Sequence, residues 1–257
     1  MTPISPFFSR LEQLAIVAAG EARVAQVRFG SHTTAVALAD GRVGLAMHFA
    51  GDPGGQARRA LGHALAGLPA TELIGLLGSE RPLESSAAVA CANALEPGGE
   101  GRPGHFLDVL DLRPDDTLGM IGNFIPLLDR IRSRVGALHV FEQIEEEADG
   151  ILPARLEPEL LPRCDVVVIS GTTLVNHTLD DLLALCGGAR EVVLAGPSTI
   201  LFPEAYQGTP VTWIAGARVR HPAEVLSRIS EDFTFHELRP WLHKVLMPIR
   251  NTSRRKG

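Results

Sequence analysis

The sequence has only 3 cysteines in 257 residues, Cys91, Cys164 and Cys186, with no C-x-x-C pair among them. An odd, widely spaced set excludes a disulfide framework and fits a reducing cytoplasm. The first residues, Met1-Thr2-Pro3-Ile4-Ser5-Pro6, lack the basic region and apolar core of a secretory leader. No stretch approaches the roughly 20 apolar residues that cross a bilayer. The expectation is a soluble, cytoplasmic chain with no membrane partner. Basic runs are missing except for Arg254-Arg255-Lys256, and the net charge is −6. Nucleic acid is therefore not expected as a partner, since phosphate binding needs a concentrated basic face.

Familiar catalytic signatures are also missing. There is no H-E-x-x-H, no H-x-H, no Cys/His quartet at zinc spacing and no G-x-S-x-G, and no segment repeats. His236 and His243 stand seven apart on what reads as a helix over 235–246, interrupted near Pro240.

What is present divides into two regions. An amphipathic helix over 7–19 precedes strands over 23–30, 33–38 and 43–49, the last two joined across Asp40-Gly41, a hairpin signal. Helices over 57–66 and 85–95 follow, giving an α+β arrangement. The Gly/Pro-rich segment 97–104 reads as a flexible connection. Strands over 117–121, 137–141, 166–169, 191–195 and 211–214 then alternate with helices over 124–134 and 179–185, and 222–230 is helical. That rhythm predicts an α/β region with a parallel sheet. The expected domains are residues 1–104 and 105–257.

The stretch Cys164-Asp165-Val166-Val167-Val168-Ile169-Ser170-Gly171-Thr172-Thr173 carries the most information. A strand buried on both faces ends in hydroxyls and a glycine, and small ligands sit beyond the carboxyl ends of such strands. Asn176, His177 and Thr178 follow. Other strand ends offer Gly119-Met120-Ile121-Gly122-Asn123-Phe124, Gly196-Pro197-Ser198-Thr199 and Gly216. Glycine permits close backbone approach, so the N–H groups of Gly122, Gly171 and Gly196 are expected to hold an anion. Thr172, Thr173, Asn176 and Ser198 would add hydrogen bonds. Glu142, about 20 residues beyond Gly122, stands where dinucleotide folds hold ribose hydroxyls. The full G-x-G-x-x-G is absent, which makes NAD and S-adenosylmethionine the lesser cofactor candidates. From the first region, Glu84 and Asn93 on a small-residue helix would face the ligand. The acid/base candidates are Glu84, Glu142 and His177, the last because imidazole titrates near neutrality.

Three of these motifs in order, Gly119–Phe124, Ser170–Thr178 and Gly196–Thr199 followed by Pro203, resemble the prokaryotic heavy-metal chelation family, a two-part family of unknown function. The resemblance covers nearly the whole chain. It implies a small domain like the N-terminal domain of enolase, a Rossmann-like domain after it, and a ligand cleft between them, with a bound metal or metal chelate as the implied cofactor. Likeness to enolase in one domain does not carry enolase chemistry. The expected function is binding of a small polar or metal-chelating metabolite in that cleft, in metal handling or in metallophore or cofactor biosynthesis. The alternative is an enzyme, a transferase, lyase or dehydrogenase using a nucleotide-type cofactor. A homodimer is the default oligomer.

Overall fold

A computed structural model of the chain describes residues 5–48, 54–99, 101–122, 124 and 127–250. Helix α1 (Pro6–Ala19) starts where Ser5 Oγ accepts the Phe8 N–H at 3.1 Å, with Pro6 at the first helical position. Strands β1 (Val24–Phe29), β2 (Thr33–Leu38) and β3 (Val43–Met47) form an antiparallel sheet in that order. Gly41, at φ +90°, makes the turn that joins the last two strands.

Helices α2 (Gly55–Leu65), α3 (Ala70–Ile74) and α4 (Pro82–Ala94) follow. Helix α4 begins a turn earlier than the sequence suggests, because Pro82 suits the first turn. Its Ala- and Ser-rich side lies against β2 and β3 so closely that a Cβ on Gly44 would stand 2.1 Å from the Ala90 carbonyl oxygen. Every residue of β2 is buried. Val36 and Leu38 join the core that includes α1 and α4, whereas Ala35 and Ala37 pack with Val225, Ile229 and Leu238. Those last residues belong to α8 (Pro222–Ser230) and α9 (Phe235–Leu238), so late elements cover the far face of the early sheet.

The larger sheet has eight strands. Its parallel part runs β10 (Trp213–Val219), β9 (Glu191–Ala195), β8 (Val166–Ser170), β5 (Thr117–Ile121), β6 (Ala137–Glu142) and β7 (Ile151–Pro153). Helices α5 (Leu128–Arg132), α6 (Glu157–Leu160) and α7 (Leu179–Leu185) connect them. The α/β class holds, but the sheet is mixed. Strand β11 (Leu242–Pro248) pairs antiparallel with β10, and β4 (Arg102–Pro103) pairs antiparallel with β11.

Several expectations need correction. The helix expected over 235–246 ends at Leu238; Pro240 cannot donate an N–H, and the chain turns into β11, where Val245, Leu246 and Met247 are buried. His243 therefore sits in a strand and shares no helical face with His236. The connection over 97–104 is partly sheet, with Gly101 and Gly104 making room for Val245 and Leu246, whose side chains lie 2.3 and 2.6 Å from where a Cβ would be. Strand β10 runs on through Ala215-Gly216-Ala217, small residues with little apolar signal. Within the helix expected over 124–134, α5 covers Leu128–Arg132, and Ile125 and Pro126 lie outside the described residues. Among the described residues no helix is long and apolar enough to cross a membrane.

Candidate functional site

Gly122, Gly171 and Gly196 follow β5, β8 and β9, which are neighbours in the larger sheet and run parallel. The glycines therefore share one carboxyl border. The N–H groups of Gly122 and Gly196 are not free to act as the expected anion donors. The Gly122 N–H donates to the Phe141 carbonyl at 2.9 Å and the Gly196 N–H to the Ala215 carbonyl at 2.9 Å, so each extends the ladder by one bond. Gly122 and Gly196 are glycines because φ is +93° and +124°. At Gly171 a Cβ would stand 2.5 Å from the Thr199 backbone nitrogen, so this glycine lets two loops touch. Gly216 is a buried position inside β10, paired with Val245, and not a loop tip.

Six expected residues do converge: Gly122, Glu142, Thr172, Thr173, Asn176 and Thr178 line one recess of about 30 Å³. The Ser170 and Thr172 hydroxyls are 2.8 Å apart, and Thr173 Oγ1 donates to the Ser170 carbonyl at 2.7 Å. Thr178 Oγ1 donates to Asn176 Oδ1 at 2.8 Å. The recess has room for one functional group and opens among oriented hydroxyls. Glu157 also lines it, a residue that no motif singled out. Burial pushes its carboxyl up to about 7, into the range of an acid or base at neutral pH. Two carboxylates at one polar recess suit a hydroxyl or cationic group better than an anion. Asn123 lies outside the described residues.

Three other expected ligand contacts, Ser198, Asn93 and His177, make ties between the two regions. Ser198 is 0% exposed, and its Oγ accepts the Met47 N–H at 2.7 Å. Asn93 Nδ2 donates to the Leu45 carbonyl at 2.9 Å and the Pro197 carbonyl at 3.2 Å. His177, at φ +61°, donates from Nε2 to the Leu77 carbonyl at 2.8 Å and has Phe8 edge-on to its ring. Glu84 accepts from Ser79 and Arg81 at 2.7 and 2.8 Å. Burial alone would raise its carboxyl, but those two hydrogen bonds outweigh it and hold Glu84 below the usual carboxylate range. Neither Glu84, held by Ser79 and Arg81, nor His177, held by Leu77, lines the polar recess, where Glu142, joined by Glu157, is the acid/base candidate. Arg218 and Glu96 add a two-pronged ion pair at 2.7 and 2.8 Å. Gly196, Pro197 and Gly216 line a second recess of about 180 Å³ on the same border.

The described residues do not fit a resident heavy metal. All three cysteines are buried free thiols, and burial pushes Cys91 and Cys186 up to about 12 and Cys164 to about 11. A thiol must lose its proton to ligate. Among the described residues no group of three or more His, Cys, Asp or Glu side chains is placed to hold a metal ion.

An α/β protein whose mostly parallel sheet carries polar loops along its carboxyl border, with a small antiparallel sheet packed across it, is the class that fold and site define. More narrowly, the chain belongs to the family described as "Putative heavy-metal chelation", whose two models match residues 12–96 and 105–248. An uncharacterized protein of Methanocaldococcus jannaschii is 32% identical over 157 residues, spanning 58% of this chain and 60% of that protein. Two solved structures of this family share the fold, both of proteins with unknown function. The one from Pyrococcus horikoshii is 22% identical with TM-score 0.82, covering 95% of this chain and 100% of its own. The one from Desulfitobacterium hafniense is 22% identical with TM-score 0.79, covering 94% and 98%.

Proposed function

We propose that the chain binds a small polar or metal-chelating metabolite at the carboxyl border of its larger sheet. A hydroxyl or cationic group of the ligand enters the recess between Glu142, Glu157, Thr172 and Asn176. The observation carrying this reading is the meeting of oriented hydroxyls and two carboxylates beyond adjacent parallel strands. A metal reaches the protein already held by the ligand, because the described side chains offer no cluster for it.

Thermal-shift screening with metal salts, nucleotides, S-adenosylmethionine and amino-acid-derived chelators tests this, since a ligand at 100 times its dissociation constant stabilises by about 2.7 kcal/mol. Stabilisation by a chelator or its metal complex, lost in Thr172→Ala and Asn176→Ala, is the expected result. Shifts that survive both substitutions overturn the assignment. A second reading, an enzyme with a nucleotide-type cofactor, draws on Glu157 held near neutrality. It gains if a nucleotide stabilises the chain and Glu142→Ala abolishes that shift.

A further inference from the structure

The larger recess differs in chemistry from the polar one. It is lined by Phe106 and Ala215 of one core cluster, whereas the polar recess is lined by Ile121 and Phe141 of the other. Ala215-Gly216-Ala217 of β10 line it, and the small side chains of Ala215 and Ala217 border a hollow of about 180 Å³. An apolar cavity of about 150 Å³ is enough to take benzene. The walls are aromatic: Phe106 and Phe124 meet edge-on with ring centres 5.5 Å apart, and Phe235 closes the side. Such walls favour a further ring over an aliphatic group.

The mouth is cationic in a chain whose net charge is −6. Arg239 and Lys244 line it, beside His105, whose ring sits 4.6 Å from that of Phe106. Burial, with the fields of Lys244, Arg130 and Arg239, pushes His105 down to about 4 against the opposing field of Asp108. Burial and the field of Arg239 likewise lower Lys244. Asp108, whose Oδ2 accepts the His105 backbone N–H at 2.6 Å, sets one negative charge against these cations and acts on both His105 and Lys244. The recess thus combines a ring-sized apolar hollow with converging positive charge, and both features ask for the same molecule.

We propose that this recess is a binding site for an aromatic carboxylate, its ring among Phe106, Phe124 and Phe235 and its carboxylate at Arg239 and Lys244. The site stands apart from the polar recess and does not depend on it. A chelating hydroxyl beside the carboxylate, as in an ortho-hydroxybenzoate, leaves the ring chemistry unchanged.

Isothermal titration calorimetry of the full chain tests the site with salicylate, with neutral salicylamide and with non-aromatic cyclohexanecarboxylate. Salicylate is expected to bind, and both relatives more weakly. The double variant Arg239→Gln/Lys244→Gln, two exposed positions, should lose at least about tenfold in salicylate affinity, the worth of a charge-assisted contact. Phe235→Ala should weaken salicylate as well, while Thr172→Ala leaves it unchanged. Absence of salicylate binding, equal binding of salicylamide, or affinity unchanged in the double variant overturns the proposal. Loss of salicylate in Thr172→Ala would move the ligand to the polar recess and overturn it too.

Discussion

The two sheets are covered in opposite ways. Over the smaller sheet, α4 presents alanines, serines and a cysteine, and backbone meets backbone at Gly44. Over the larger sheet the cover is long side chains, Leu161, Leu174, Leu182 and Leu183 on one face and Phe106, Leu110 and Ile131 on the other. The smaller region is held by closeness and the larger by volume. The same substitution should therefore act differently in each. A Cβ at Gly44 meets the Ala90 carbonyl at 2.1 Å and the Ala94 nitrogen at 2.2 Å, groups fixed in a helix. At Gly119 of β5 it meets the tips of Leu161 and Cys164 at 2.8 and 3.0 Å, which can rotate away. Gly44→Ala is expected to cost at least about 4 kcal/mol, which defines the exceptional class of single substitutions. Gly119→Ala should cost about 1–3 kcal/mol, as overpacking does. Urea denaturation of both variants decides it; equal costs would erase the distinction.

The seam between the regions gives the next test. Asn93 donates to two carbonyls, one from each side, and its Oδ1 is enclosed with no hydrogen-bond partner among the described residues. Removing the amide leaves the Leu45 and Pro197 carbonyls short of a donor, so Asn93→Ala should cost about 1–3 kcal/mol. Asn93→Asp should cost more, since it sets a buried carboxylate against two carbonyl oxygens. If Asp is tolerated better than Ala, Asn93 does not tie the regions through its donor.

How far the sequence revealed this arrangement follows the same contrast. Strands β2, β8 and β9 were legible because β-branched and apolar runs bounded by turn residues signal burial directly. Helix α4 was legible as a close-packing helix from its small residues. Strand β11 was not, because His243 and Lys244 interrupt its apolar pattern and its partner β10 is rich in alanine and glycine. The shared border of the glycines is legible, yet the use of the Gly122 and Gly196 N–H groups is not, since ladder bonds depend on which strand lies alongside. Ser198 and His177 looked like ligand contacts for the same reason: a polar residue after a buried strand carries no sign of the Met47 amide or the Leu77 carbonyl that will meet it. Glu157 carried no signal, because its burial comes from a recess assembled by distant segments.

Glu157 supplies the smallest effect and the one that separates the regions by pH. Its folded pKa is raised from 4.5 to about 7 by burial. The native state therefore binds more protons than the unfolded state between those values, and stability falls as pH rises through that window. Below the window both states are protonated and the full stability is present; above it the buried charge is carried at a cost. Glu157→Gln keeps the shape and removes the charge, so it should flatten the decline and leave the variant more stable above pH 7 by about 1 kcal/mol, well under the full shift because the side chain is partly exposed. Denaturation midpoints at pH 5 and pH 8 measure this. In contrast, Glu84→Gln in the smaller region should lose stability at pH 8, because its carboxylate is held ionised by Ser79 and Arg81. Opposite signs at the two glutamates would locate the uncompensated charge at the recess; the same sign at both would mean that Glu157 has a cationic partner and that the polar recess is not poised for acid/base work.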